Sequence, residues 1–200
     1  MSMSQSIHFQ FLRSEWSKVY EAAAKAEALA NPDPRTACFY SRRALEIAMT
    51  WLFECDDSLS RPYKEDLSAF LFEPSFKILV DSALHTKLDL IRKLGNLAVH
   101  SSKPIRVEDA IVAVRELFHF CYWLGRNYGL KATDKPAANA TFNPDYLPKT
   151  SPVPTQTIAQ LQAQAQQLAA KDAELAAGKS RLDEVEAELK QLREQIAQAK

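Results

Sequence analysis

The sequence carries no excess of charge: 25 lysines and arginines face 25 aspartates and glutamates. That balance excludes a strongly electrostatic nucleic-acid binder, whose footprint is a basic surplus, though it leaves room for a local basic patch. Cysteine is sparse, with three residues, Cys38, Cys55 and Cys121, and no CxxC spacing. An odd count in apolar helical contexts predicts buried free thiols in a reducing cytoplasm. No basic-then-apolar leader opens the chain, and no apolar run approaches the ~18 residues of a membrane span. The protein is therefore expected to be soluble and cytoplasmic. Phosphate-cradling GxxxxGK[ST] loops and GxSxG elbows are absent, so nucleotide and serine hydrolysis have no support. No histidine pair, cysteine pair or carboxylate cluster has metal-site spacing, and no cofactor or small-molecule substrate is expected.

Period-two alternation is also missing before residue 130. What is present is helical periodicity, and the predicted class is all-α, a helical bundle with short connections. One helix is predicted from His8, with Leu12, Trp16, Val19, Ala23, Ala26 and Ala30 on one face. Asn31-Pro32-Asp33-Pro34 ends it; Asp33 then caps a second helix with Pro34 at its first position. That helix runs to about Cys55, with Arg42 and Arg43 outside. A polar loop, Asp56 to Asp66, leads to short apolar segments at Leu67–Phe72 and Phe76–Ala83. The last helix spans about Val107 to Tyr128, and Gly129 is placed as a left-handed stop.

Leu88 to His100, LDLIRKLGNLAVH, is predicted as the central helix, apolar over most of its circumference and covered by neighbours. Gly95 in its middle costs roughly 1 kcal/mol relative to alanine, which predicts close approach of a neighbour there. Arg92, Asn96 and His100 recur at intervals of four and stack along one strip. Two readings stand side by side. In one, His100 does acid–base work while Arg92, Lys93 and Asn96 hold phosphate. In the other, the strip is a solvated or inter-helix face and His100 caps the negative end of its helix. His8, His85 and His119 are isolated, and His119, between Phe118 and Phe120, reads as packed. Lys18, Arg42 and Arg43, with Tyr40 and Trp51, read as a small nucleic-acid patch or as a solvated helix face.

After Gly129 the composition shifts. Lys131 to Thr157 contains five of the ten prolines and reads as an extended linker. From Ile158 leucine or isoleucine recurs every seven residues, at 161, 168, 175, 182, 189 and 196. The second seam position precedes each leucine before Gly178 and follows it afterwards, so the seam changes phase. This predicts a coiled-coil helix with a weak centre that needs a partner. The expected domains are a bundle over 7–130, a linker over 131–157 and a coiled-coil helix over 158–200. The heptads run uncapped to Lys200, so the chain is expected to be a fragment of a longer one.

The opening HFQFLRSEW (His8 to Trp16) and the run IRKLGNLAVH (Ile91 to His100), with the helices between them, resemble the N-terminal helical domain of type I restriction endonuclease R subunits. That domain is itself similar to HEPN helical domains. The resemblance covers about Ile7 to Gly129. It implies an interaction or regulatory module of a DNA restriction–modification complex, a defence against foreign DNA, followed elsewhere by nuclease and ATP-driven motor domains. The module itself would be non-catalytic. Its implied partners are other subunits of the complex, or a second copy through the coiled coil, with DNA reached through the wider assembly. Many HEPN domains are metal-independent ribonucleases with an arginine four to six residues ahead of a histidine. Here seven residues separate Arg92 from His100, and the residue with the family spacing is Lys93. If the strip is active, His100 is the base and Arg92, Lys93 and Asn96 hold the phosphate.

Overall fold

A computed structural model describes residues 6–149. The expected coiled coil of 158–200, and the end of the expected linker, lie outside them. The described residues form six α-helices and three short 3-10 turns, with no strand. None of these helices is long and apolar enough to cross a membrane.

The chain enters through a 3-10 turn, Gln10–Leu12, that buries Leu12, and α1 (Ser17–Leu29) starts only after it. The single helix expected from His8 is therefore broken. The backbone N–H of His8 is taken by the Glu27 carboxylate at 3.2 Å and that of Phe9 by the Ser6 hydroxyl at 3.1 Å, and the turn that follows closes on three-residue bonds, Leu12 N–H to the Phe9 carbonyl at 3.0 Å and Arg13 N–H to that of Gln10 at 3.1 Å. Then α2 (Pro34–Cys55) begins where expected, with the Asp33 carboxylate accepting from Thr36 N–H at 3.1 Å. Its inner residues Cys38, Leu45, Met49 and Leu52 are fully buried. Short helices α3 (Leu67–Phe72) and α4 (Pro74–Leu79) follow, capped by Asp66 and Glu73.

The helix carrying the strip, α5 (Ser82–His100), starts earlier than expected, because Asp81 caps it by accepting from Leu84 N–H at 2.6 Å. It is not the centre of the bundle. That place belongs to α2, which packs on α1, on α5 and on α6 (Val107–Tyr128). Leu88 and Ile91 of α5 are fully buried, but Leu90 is 37% and Val99 52% exposed. Its wide apolar arc is thus only partly sheathed. Leu117, Phe120 and Leu124 of α6 complete the core.

At Gly129 the backbone φ is −62°, not left-handed. The glycine serves proximity: a Cβ there would stand 3.1 Å from the Asp134 carbonyl oxygen. The chain has folded back. Where an extended linker was expected, 3-10 turns form at Ala132–Asp134 and Pro144–Tyr146, and Asp134 and Leu147 are buried. Tyr122 donates to the Ala138 carbonyl at 3.1 Å, and Asn31 to that of Pro148 at 3.0 Å. The packed body therefore extends past the boundary expected at 130, at least to Pro148.

Candidate functional site

Three residues of the strip on α5, Arg92, Lys93 and Asn96, are engaged by neighbouring side chains, and the fourth, His100, is not. Asp89 binds both neighbouring cations: Arg92 Nη2 lies 2.7 Å from Oδ1 and Lys93 Nζ 2.8 Å from Oδ2. Burial works to raise the Asp89 carboxyl, but hydrogen bonds from Lys93 and Arg92 outweigh it and hold it below its usual range. Arg92 also sits over the Phe72 ring, 5.8 Å from its centre.

Asn96 belongs to Arg42, whose guanidinium donates to its Oδ1. Another nitrogen of the same guanidinium, Nε, meets Glu46 at 2.9 Å. The stem of Arg42 crosses α5 at Gly95, where a Cβ would come within 2.5 Å of Cδ and 2.9 Å of Cγ. Gly95 thus marks the close approach its position predicted. Arg42, expected outside with Arg43, is turned inward onto α5; Arg43 stays exposed.

His100 is exposed and makes no hydrogen bond among the described residues. The cation that closes the end of α5 is Arg35, from α2. Its Nη1 donates to the carbonyls of Ala98 (2.7 Å) and Ser101 (2.6 Å), and its Nη2 to that of Lys103 (2.5 Å). These are carbonyls at and just beyond the helix end, which have no intrahelical partner or lie at the negative pole. Arg92, Lys93, Asn96 and His100 therefore share a helix face without converging on one another.

Two buried polar clusters escaped the sequence reading. At the chain's entry, His8 Nδ1 lies 2.5 Å from Glu27 Oε1, and the His8 backbone N–H donates to the same oxygen at 3.2 Å. The amide of Asn143 donates to His8 Nε2 at 3.1 Å. Because Nε2 must accept, the proton of a neutral ring sits on Nδ1 and points at Glu27. Phe142 covers the imidazole, ring centres 4.6 Å apart. Glu27 Oε2 has no hydrogen-bond partner among the described residues, and Glu27 lines a cavity of about 50 Å³ with Ser6, Tyr146 and Pro148.

The second cluster joins α5 to α6. Buried Glu116 accepts from Arg115 Nε and His119 Nδ1, both at 2.8 Å, with Lys87 Nζ 3.5 Å away. Burial raises the Glu116 carboxyl, and the hydrogen bonds from His119 and Arg115 bring it below its usual range. His119, read as packed, is half-buried and works as a partner of this carboxylate. The spacing Glu116-x-x-His119 was the one local signal for it. No group of three metal-ligating side chains occurs among the described residues.

A groove of about 570 Å³ runs between α1 and α2 and includes Lys18, Arg43 and Trp51 of the expected basic patch, but not Arg42. Glu15, Glu46 and Glu54 line it too. None of the four strip residues lines this groove or the cavity beside Glu27.

The described fold is an all-α bundle, and a family model covers it from within α1 to the residues after α6. Residues 24–143 match the model described as Domain of unknown function (DUF4145). The chain belongs to that family. No curated protein and no solved structure matches it.

Proposed function

We propose that this chain is a non-catalytic interaction module, the N-terminal part of a type I restriction–modification R subunit, with a HEPN-like bundle and a coiled-coil arm. In this reading DNA cleavage and ATP-driven movement belong to domains not in these 200 residues. The observation that carries it is the engagement of the strip. Arg92 and Lys93 are spent on Asp89, Asn96 on Arg42, and the His100 side chain has no hydrogen-bond partner among the described residues. A general base needs an orienting neighbour and a poised substrate site, and a phosphate clamp needs uncommitted cations. The resemblance of the His8–Trp16 and Ile91–His100 segments supplies the restriction context, and the heptads of 158–200 supply the need for a partner helix.

The test has two arms. Tagged full-length chain, co-expressed with the modification and specificity subunits of a type I system from the same genome, is expected to retain them on purification. Single-stranded RNA incubated with the chain is expected to stay intact. RNA cleavage that disappears in His100→Ala would replace this reading with that of a metal-independent ribonuclease.

A further inference from the structure

The groove between α1 and α2 carries both signs of charge, and on its α2 wall they stand at opposite ends. Arg43, Ile47, Thr50 and Glu54 recur there at intervals of four, three and four, which makes them one ridge along the helix. Arg43, Thr50 and Glu54 are exposed, and Ile47 and Trp51 are half-buried between the two charges.

At the Arg43 end the cation is in surplus. Two arginines share one carboxylate: Arg42 Nε holds Glu46 Oε1 at 2.9 Å, while Arg43 Nη1 lies 3.7 Å from Oε2. At the Glu54 end the carboxylate is in surplus. One cation, Arg61, stands 3.9 Å from Glu54 and 3.7 Å from Glu65. Glu15 adds to that end from the α1 side: after slight burial, Glu54 and then Glu15 push the nearby Cys55 thiol up. Lys18, one turn along α1 from Glu15, is the other cation of the lining. An all-acidic or all-basic strand laid along the ridge would meet a like charge at one end. A ridge with a cation at one end, a carboxylate at the other and apolar side chains between is complementary to itself turned through half a revolution. Isologous contact is the arrangement that pairs both ends with a single patch.

We propose that a second copy of this chain docks on this groove about a two-fold axis, with the two α2 helices antiparallel and the axis level with residues 48 and 49. Arg43 of each copy then stands opposite Glu54 of the other, and Ile47 opposite Thr50. The ridge of one α2 enters the groove between α1 and α2 of the other, as helix ridges do. Residues 43 to 54 cover about 16 Å of helix, three turns, so both end pairs form in the same contact. The proposal goes beyond the restriction-complex reading, rests on no part of it and needs no pairing of residues 158–200.

Site-directed cross-linking of the full chain tests it. Thr50→Cys in a Cys55→Ser background puts one reactive thiol beside the axis, and a short bis-maleimide is expected to link two copies through it. Ser102→Cys, an exposed position in the turn after α5, serves as the comparison and is expected to link at least about tenfold less. Arg43→Glu and Glu54→Arg each set two like-charge pairs across the axis, and each is expected to cut the Thr50→Cys yield at least about tenfold. The two reversals together exchange the ends and are expected to restore it, with thermal unfolding unchanged in all three. No cross-link at millimolar chain, equal yield at Ser102→Cys, indifference to both reversals, or no recovery in the double reversal would each overturn the proposal. Copies joined only through residues 158–200 would give equal yields or indifference. Loss of this contact leaves retention of the restriction subunits unaffected, so the two readings fail separately.

Discussion

Arg35 closes the end of a helix to which it does not belong: its Nη1 lies 2.7 Å from the carbonyl oxygen of Ala98, 63 residues along the chain. The same nitrogen reaches Ser101, and Nη2 reaches Lys103. One guanidinium thereby fastens the end of α5 and the turn after it to the start of α2.

Removing that fastening has a defined cost. Hydrogen bonds from a charged donor contribute about 1.5–3 kcal/mol in favourable settings, and the solvent-facing contact to Lys103 contributes less. Arg35→Ala is expected to lower unfolding free energy by about 2–3 kcal/mol in urea titration. Arg35→Lys should recover less than half, because an ammonium cannot span the same fork of carbonyls.

Gly95→Ala inverts the usual helix rule. In an open helix the change stabilises by roughly 1 kcal/mol. Here the new methyl would overlap the Arg42 stem, and the expected result is a net loss of about 1–3 kcal/mol. In the background of Arg42→Ala the same substitution should remain costly, because the Cβ of residue 42 itself stands in the way; Arg42→Gly, which removes that atom, should relieve most of the loss. A double-mutant cycle by chemical denaturation reads the coupling directly.

Acid should unfold the protein through its paired carboxylates. Asp89 and Glu116 both titrate below the usual range in the folded state. Their unfolded values lie near ~3.9 and ~4.3. A depressed folded value gives stability that is fully present above the unfolded one and is lost as pH falls through the folded one. The urea midpoint is therefore expected to decline as pH drops below about 4.5. Glu116→Gln should be less stable at neutral pH and show a shallower decline in acid.

The three thiols should separate by reactivity. Cys38 and Cys121 are buried, as expected, but Cys55 is exposed at the end of α2. Burial first, then Asp109, pushes the Cys38 thiol up to about 12, and burial alone pushes up Cys121. Cys55 is raised as well, through slight burial and the nearby Glu54 and Glu15, so it should react slowly. Titration with an aromatic disulfide is expected to find one thiol in the native protein, none in Cys55→Ser, and the other two only after unfolding.

Local signals in the sequence were dependable where the structure is local. The Asp33-Pro34 start of α2, the span of α6 and the crowding at Gly95 follow from capping chemistry, from 3.6-residue periodicity and from the cost of a mid-helix glycine. Misreadings came from contacts distant in sequence. The strip on α5 reads as four chemically suited residues because spacing cannot tell that Asn96 is met by Arg42, 54 residues away. His8 looks isolated until Glu27 and Asn143 are brought to it from 19 and 135 residues away. Arg35 carries no mark of its role, since the carbonyls it serves belong to another helix. The fold-back after Gly129 was masked by proline and alanine, which suit an extended linker as well as a chain laid along a bundle.

The meeting of His8 with Asn143, and of Ser6 with Tyr146 and Pro148 around one small cavity, has a topological consequence. The strand of polypeptide entering the bundle and the one quitting it share a doorway. A unit wired in this way can be spliced into a host loop, or rejoined head to tail and reopened elsewhere, with only a short bridge across the seam.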